Sequence, residues 1–112
     1  MTLQEIIAKL DLKILTAPRD FSAVTPRGGY ASDLLSCVMA GAQPDAVWVT
    51  LQAHMNVVAV ASLREVAAVI LTENAQPEPD VIAKANDQNV TLLSTSAPSY
   101  EVAGRLWELG IR

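Results

Sequence analysis

Four polar side chains, Thr50, Gln52, His54 and Asn56, occupy every second position of one short segment, which contains the only histidine of the chain. Successive side chains of an extended segment alternate between two faces, so these four groups are predicted to share one face. Hydroxyl, amide and imidazole groups suit recognition of an anion, a base edge or a partner's backbone. No carboxylate is adjacent to His54 in the sequence to complete an acid–base pair. The segment therefore favours recognition over catalysis, and no catalytic residue is predicted.

Several of these residues also have a purely structural interpretation. His54 precedes an apolar helical pattern, where it can bond to backbone instead of to a ligand, and Asn56 can equally cap that helix. A metal role is disfavoured, because one histidine and one distant cysteine without a carboxylate cluster do not make a ligand set. That cysteine, Cys37, is interpreted as a small buried apolar residue, since no base that would activate it can be named.

A second polar stretch, Gly28–Asp33, precedes another apolar helical pattern. Gly28 and Gly29 permit a sharp bend, and before a helix their free N–H groups can also hold a phosphate. Asp33 or Ser32 is predicted to cap that helix, where the helix dipole favours a carboxylate. A carboxylate repels a phosphate, so an Asp33 that faces a ligand suits a ribose hydroxyl better. The candidate ligand-binding residues of the two stretches are Gly28, Gly29, Asp33, Thr50, Gln52, His54 and Asn56.

Alternating strand and helix patterns position these residues. The predicted strands from residue 46 onward are Ala46–Leu51, Val66–Leu71 and Val90–Leu93, each followed by a helical pattern. Right-handed crossovers then give a mostly parallel sheet with helices on both faces, that is, a three-layer α/β/α sandwich in a single domain over residues 1–112. Ligands gather at the carboxyl ends of such strands. The polar stretches predicted to lie there are Gly28–Asp33, Thr50–Asn56, Thr72–Asn74 and Ser94–Ser96.

The composition restricts the class of protein. The chain has 112 residues, 51% of them hydrophobic, and a net charge of −4, which excludes general disorder and argues against binding to nucleic acid. No signal peptide and no apolar run of membrane-spanning length are recognised, and a single cysteine fits a reducing compartment, so a cytoplasmic protein that does not contact membranes is expected. The high apolar fraction favours burial of some surface by a second subunit.

In the last helical pattern, the flat side of Trp107 is predicted to pack on the core.

Three segments together resemble the DRTGG-domain family. They are Gly28–Ser36 followed by Val38–Ala40, Trp48–Asn56 followed by Ala59–Ala61, and Glu101–Leu106, and their spaced combination is more specific than any one of them. Similar members are free-standing domains that resemble the N-terminal domain of the bacterial HPr kinase/phosphorylase, some of them encoded near iron-hydrogenase components. Others lie between CBS domains in regulated pyrophosphatases or inside long phosphotransacetylases. The acidic-basic-Thr-Gly-Gly run that names the family is not intact here, because Pro26-Arg27 separates Val24-Thr25 from Gly28-Gly29.

The resemblance implies an α/β/α sandwich, a homodimer and a regulatory role. The first functional hypothesis is a regulatory module that senses a small ligand, such as an adenine nucleotide or similar small anion. The alternative that it leaves open is a protein–protein adaptor associated with a redox or hydrogenase complex. No cofactor is implied. The chain lacks the Gly-x-x-x-x-Gly-Lys-Ser/Thr phosphate loop, so the resemblance does not imply kinase activity or any other enzymatic function.

Overall fold

Five short strands form one sheet in the computed structural model, which describes all residues from Met1 to Arg112. The strands are β1 (Lys13–Ile14), β2 (Gly29–Ala31), β3 (Val47–Thr50), β4 (Ala68–Leu71) and β5 (Leu92–Ser94), and they lie in the order β1-β5-β4-β3-β2. β2 to β5 are parallel to one another, whereas β1 is antiparallel to β5. Every residue of β3, β4 and β5 is buried, as expected for strands covered on both faces.

Helices cover both faces of this sheet. They are α1 (Leu3–Leu10), α2 (Leu35–Gly41), α3 (Met55–Arg64), α4 (Pro79–Asp87) and α5 (Ser99–Glu108), and one 3₁₀ turn spans Phe21–Ala23. α1 and α5 pack on the face that carries Val49 and Ile70. α2, α3 and α4 pack on the opposite face, around Trp48. The prediction of a three-layer α/β/α sandwich with a mostly parallel sheet is confirmed.

A local sequence signal accounts for the start of α1. The hydroxyl of Thr2 accepts from the N–H of Glu5, and the Glu5 carboxylate accepts from the N–H and the hydroxyl of Thr2, which forms a complete capping box at the start of α1. The backbone N–H of Thr2, and then its hydroxyl, hold the pKa of Glu5 below its usual value.

None of the helices combines the length and the apolar character that a membrane-spanning segment needs.

Two predictions about buried side chains are wrong. Cys37 is exposed, because α2 contacts the sheet through Val38, and a neighbouring residue on a helix points about 100° away. Trp107 is also largely exposed, since α5 packs through Val102 and Leu106 instead. Trp48, by contrast, is fully buried, and its ring N–H donates to the carbonyl of Ser32 over 2.9 Å.

Candidate functional site

Asp33 joins the ends of two neighbouring strands. It follows β2, and one of its carboxylate oxygens accepts from the hydroxyl of Thr50 and from the N–H of Leu51, both over 2.8 Å. The side-chain amide of Gln52 donates to the carbonyl of Asp33 over 2.6 Å, and the Thr50 hydroxyl accepts from the N–H of Gln52. Because Thr50 is fully buried, its hydroxyl needs such a partner. Three of the predicted site residues are therefore brought together and bonded to one another.

The prediction that Asp33 or Ser32 caps the next helix is wrong. α2 begins only at Leu35, and its N-cap residue, Leu34, makes no capping side-chain bond. The Ser32 hydroxyl accepts from the N–H of Leu34, one residue before the helix. The Asp33 carboxylate turns to β3, where it reaches a buried hydroxyl and a backbone N–H at once, and these two bonds outweigh a single bond to a helix end.

His54 is the N-cap residue of α3. Its ring Nδ1 accepts from the backbone N–H of Asn56 over 3.3 Å. Asn56 lies in the first turn of α3, so the cap is His54 and not Asn56. His54 and Asn56 are both exposed, and the ring Nε2 and the Asn56 amide make no intramolecular hydrogen bond. They lie beyond the carboxyl end of β3, on the same edge as Asp33 and Gln52.

Gly28 and Gly29 lie at the other end of the sheet. Gly29 pairs with Val47, the first residue of β3, whereas Thr50 is the last residue of that strand. At about 3.3 Å per residue, three residues separate the glycines from Thr50 by roughly 10 Å along the strand. The expectation that they line one pocket with Thr50 and His54 is wrong, and no helix directly follows them. Gly28 has φ of +90°, and a Cβ there would come within 3.0 Å of the carbonyl oxygen of Arg112.

A polar cleft of about 380 Å³ opens farther along the carboxyl edge, beyond β4 and β5. Four separate segments line it: the end of α1 with β1, the loop after β4, the loop after β5, and helix α5. The residues of the cleft are Leu10, Asp11, Lys13, Asn74, Gln76, Ser94, Thr95, Ser96, Ala97, Glu101 and Arg105. Ammonium, guanidinium, hydroxyl and amide groups are the usual ligands of a phosphate or a ribose.

Backbone hydrogen bonds hold the walls of this cleft together. Asn74 donates from its N–H to the carbonyl of Thr95 over 3.0 Å, and Glu73 donates to the carbonyl of Ala97 over 2.9 Å. Glu73 and Asn74 both have φ of +59°, and Ala75 donates back to Thr72, so the loop is a type I′ turn. Such a turn is unfavourable for Glu73, a residue with a Cβ, and the bonds to the neighbouring loop compensate for it. Hydrogen bonds within the chain therefore hold the two loops of the cleft against each other.

The charges of the cleft are mixed. Lys13 and Arg105 supply two cations, and Asp11 and Glu101 supply two carboxylates. The guanidinium of Arg105 donates to the carbonyl of Lys9 over 2.6 Å, which fixes the side chain against the end of α1. No group of three His, Cys, Asp or Glu side chains is arranged to hold a metal ion. The chemistry that the cleft offers is hydrogen bonding and charge pairing with a small polar molecule.

The sequence pattern does not indicate most of these cleft residues. Ser94–Ser96 and Thr72–Asn74 are predicted at this edge, but Lys13 and Arg105 are not. The pairing of β1 with β5 is what brings Lys13 to the cleft, because it places Lys13 opposite Ser94. The sequence could have indicated Lys13 only if the order of the strands in the sheet had been known.

The residues from Asp33 to Leu109 match the model of a known family. The matched family is the DRTGG domain, over residues 33–109. The chain belongs to the DRTGG-domain family. The resemblance found in the sequence is thereby confirmed. No curated protein matches the chain significantly.

Among solved structures, a regulatory region of another protein has the fold of this DRTGG domain. It is the CBS and DRTGG regulatory region of the Clostridium perfringens pyrophosphatase, complexed with its activator, diadenosine tetraphosphate. The two chains superpose with a TM-score of 0.76 at 14% identity, over 92% of this chain and 44% of the other. The chain thus spans less than half of that regulatory region. At this identity the similarity establishes the fold alone.

Proposed function

We propose that this DRTGG domain is a cytoplasmic, non-catalytic regulatory module that senses an adenine nucleotide or similar small anion and works as a homodimer. The observation that carries the proposal is the polar cleft beyond β4 and β5, whose ammonium, guanidinium and hydroxyl groups converge from four segments. Family membership supports a regulatory role, and the pyrophosphatase region with the same fold has an adenine dinucleotide as its activator.

The size and charge of the cleft favour a mononucleotide. Its volume of about 380 Å³ is near the lower end of small-molecule sites, which hold roughly 300–1,000 Å³. Lys13 and Arg105 match the charge of one phosphate, while Asp11 and Glu101 suit ribose hydroxyls and repel a longer polyphosphate. We therefore expect AMP to bind more tightly than ATP. The exposed ring of His54 and the amide of Asn56 lie on the same edge, beyond β3, whereas the amide of Gln52 is already bonded to the carbonyl of Asp33.

Calorimetric titration and thermal shift with AMP, ATP and inorganic phosphate test this proposal. A melting temperature that rises with AMP concentration is expected, because a ligand that binds only the folded state stabilises it. The absence of any shift and any heat with millimolar AMP, ATP and phosphate, in a folded sample, would overturn the proposal.

The second candidate function is a protein–protein adaptor, in which the β2–β3 half of the edge contacts another protein. It is favoured by two exposed leucines, Leu34 and Leu51, which flank the bonded residues Asp33 and Thr50. Apolar side chains beside satisfied polar groups are typical of a protein contact. Leu34→Glu, compared with Leu63→Glu on the exposed face of α3, tests this function. A partner identified by mass spectrometry that is lost with the first variant and kept with the second supports the adaptor; equal recovery with both variants contradicts it.

A further inference from the structure

Strand β2 forms one edge of the sheet, and only its inner side has a partner strand. The sheet order ends at β2, which pairs with β3 alone. The carbonyl of Gly28 accepts from β3 over 3.0 Å, and the N–H of Ser32 donates to β3 over 3.2 Å. In a parallel pair every second residue bonds to the partner, so the N–H and carbonyl groups of Gly29 and Ala31 point outward.

These outward backbone groups are accessible and fixed in place. Gly29 and Ala31 are both exposed, and no loop bonds to their N–H or carbonyl groups. Their small size lets another backbone approach closely. On the opposite face the ring of Tyr30 lies against Gly41, where an added Cβ would be 2.6 Å from it, and this contact anchors β2. A row of unpaired N–H and carbonyl groups is a template for one more extended chain.

An apolar notch of about 160 Å³ lies between this edge and α5. Seven of its nine lining residues are hydrophobic, so it suits an apolar group. The notch exists because Gly29 and Ala31 are too small to fill the space beside Leu106 and Trp107. An apolar cavity of about 150 Å³ is large enough to hold a benzene molecule, so this notch has room for one large apolar side chain.

Arg112 is the only charged residue of the notch. Its Nε donates to the carbonyl of Trp107 over 3.1 Å, and its guanidinium carbon lies 5.2 Å from the centre of the Trp107 ring. Its backbone lies beside Gly28, because a Cβ there would come within 3.0 Å of the Arg112 carbonyl oxygen. The guanidinium is thus held near the start of β2, and its two Nη groups make no hydrogen bond within the chain. Such a group is suited to a carboxylate.

We propose that the edge of β2 binds an extended peptide segment of another protein, which adds a strand to the sheet. The segment carries a large apolar residue opposite Ala31, which enters the notch, and an aspartate or glutamate opposite Gly29, which pairs with Arg112. Residues two positions apart lie on the same face of a strand, so both side chains point toward α5. The unpaired backbone groups select an extended chain, and the charge of Arg112 selects an acidic one.

This peptide site goes beyond the ligand sensing proposed above. None of the residues of the notch lines the polar cleft beyond β4 and β5. The site is also separate from the exposed leucines Leu34 and Leu51, which do not line the notch. Peptide binding and AMP binding can therefore be measured, and can fail, independently of each other.

Selection from a phage-displayed library of random heptapeptides against the full chain, followed by calorimetric titration of the enriched peptide, tests the site. Enriched sequences are expected to have an apolar and an acidic residue two positions apart. In NMR spectra the peptide should shift the amide signals of Gly29 and Ala31 and leave that of Gln76 in the cleft unchanged. N-methylation of the peptide at the positions that bond to β2 should abolish binding, whereas N-methylation at the intervening positions should not.

Variants of the edge separate the notch, the backbone and the charge. Ala31→Leu fills the notch and is expected to raise the dissociation constant of the peptide at least about tenfold, whereas Ala83→Leu on exposed α4 leaves it unchanged. Ala31→Pro removes an outward N–H but no bond to β3, and it should weaken binding while the domain stays folded by thermal unfolding. Arg112→Glu should weaken the acidic peptide more than a peptide with the corresponding amide.

Three outcomes would overturn the peptide site. The first is a selection that enriches no sequence above an unrelated control protein, and the second is equal affinity of the enriched peptide for the wild type, Ala31→Leu and Ala31→Pro. The third is a wild-type dimer, seen by sedimentation equilibrium, that Ala31→Pro dissociates, because a second copy of the chain would then occupy the edge. AMP titration of Ala31→Leu reports separately on the cleft and should match the wild type.

Discussion

Beyond β2 and β3, Asp33, Thr50 and Gln52 bond to one another, whereas beyond β4 and β5 the polar side chains line an open cleft. The first half contains a buried hydroxyl, which must find a partner inside the protein. In the second half, Lys13, Gln76 and Ser96 are exposed to water, which a ligand can replace.

This difference separates polar groups that stabilise the fold from polar groups that are available for binding. A dense row of polar residues in one segment lies close to backbone and to its own neighbours, so its hydrogen bonds are readily made within the chain. The cleft collects residues from segments far apart in sequence. Gln76, Thr95 and Arg105 bond within the chain there, but Lys13 and Ser96 remain exposed. Exposed polar residues that come together from distant segments therefore identify a better candidate site than a dense row of polar residues in one segment.

The largest expected effect is that of Asp33→Ala on stability. The variant leaves the buried Thr50 hydroxyl and the Leu51 N–H without their acceptor, which costs about 2–3 kcal/mol of unfolding free energy. Urea denaturation followed by circular dichroism measures the loss. Asp33→Asn, which keeps one acceptor oxygen, should lose less. If Asp33→Ala unfolds at the same urea concentration as the wild type while AMP binding is lost, the β2–β3 half is the ligand site and the comparison between the halves is reversed.

The sequence predicts the layers of this fold well because β3 and β4 are continuous apolar runs, whose burial on both faces requires helices on each side. It places Gly28 and Gly29 at the wrong end of the sheet because β2 has only three residues, two of them glycine and alanine, which carry little strand preference. The capping rule fails at Asp33 because a tertiary contact with Thr50 replaces the local one.

The cleft is harder to predict than the fold. Lys13 and Arg105 are more than ninety positions apart in the chain, and they meet only after β1 pairs with β5 and α5 packs beside α1. The turn at Glu73 and Asn74 has the backbone of a glycine turn without containing glycine, so its sequence does not reveal its shape.

Lys13→Glu is expected to weaken AMP binding by about tenfold, or about 1.4 kcal/mol, because it reverses one of the two positive charges of the proposed phosphate site. Calorimetric titration measures the dissociation constant. Lys13 is exposed, so the stability of the variant should remain within about 0.5 kcal/mol of the wild type. Lys84→Glu, an equal charge change on exposed α4, is the control. Equal loss of affinity in both variants would indicate a general electrostatic effect and would remove the cleft as the site.

His54→Ala is expected to destabilise the domain by about 1 kcal/mol, since α3 loses the side chain that accepts from the Asn56 N–H. His54→Asp supplies a better cap and should restore the stability. Thermal or urea unfolding of both variants measures this difference, and AMP titration of His54→Asp shows whether the ring also contacts the ligand. Unchanged AMP affinity in His54→Asp would show that His54 serves only to cap α3. A large loss of affinity in this stable variant would show that the ring contacts the ligand.

The smallest expected effect concerns Glu5, whose helix supports the cleft through the bond between the Lys9 carbonyl and Arg105. Bonds from Thr2 hold the pKa of the folded Glu5 below its usual value of 4.5. The ionised carboxylate therefore adds stability above that unfolded pKa, and this contribution disappears as the pH falls through the lower folded value. Glu5→Gln removes the ionisable group, so the stability difference between wild type and variant should be fully present near neutral pH and narrow below pH 4.5. Urea unfolding of both proteins along a pH series measures that difference. A difference in unfolding free energy that stays constant as the pH falls would mean that neutral glutamine packs differently. The charge of Glu5 would then not stabilise α1.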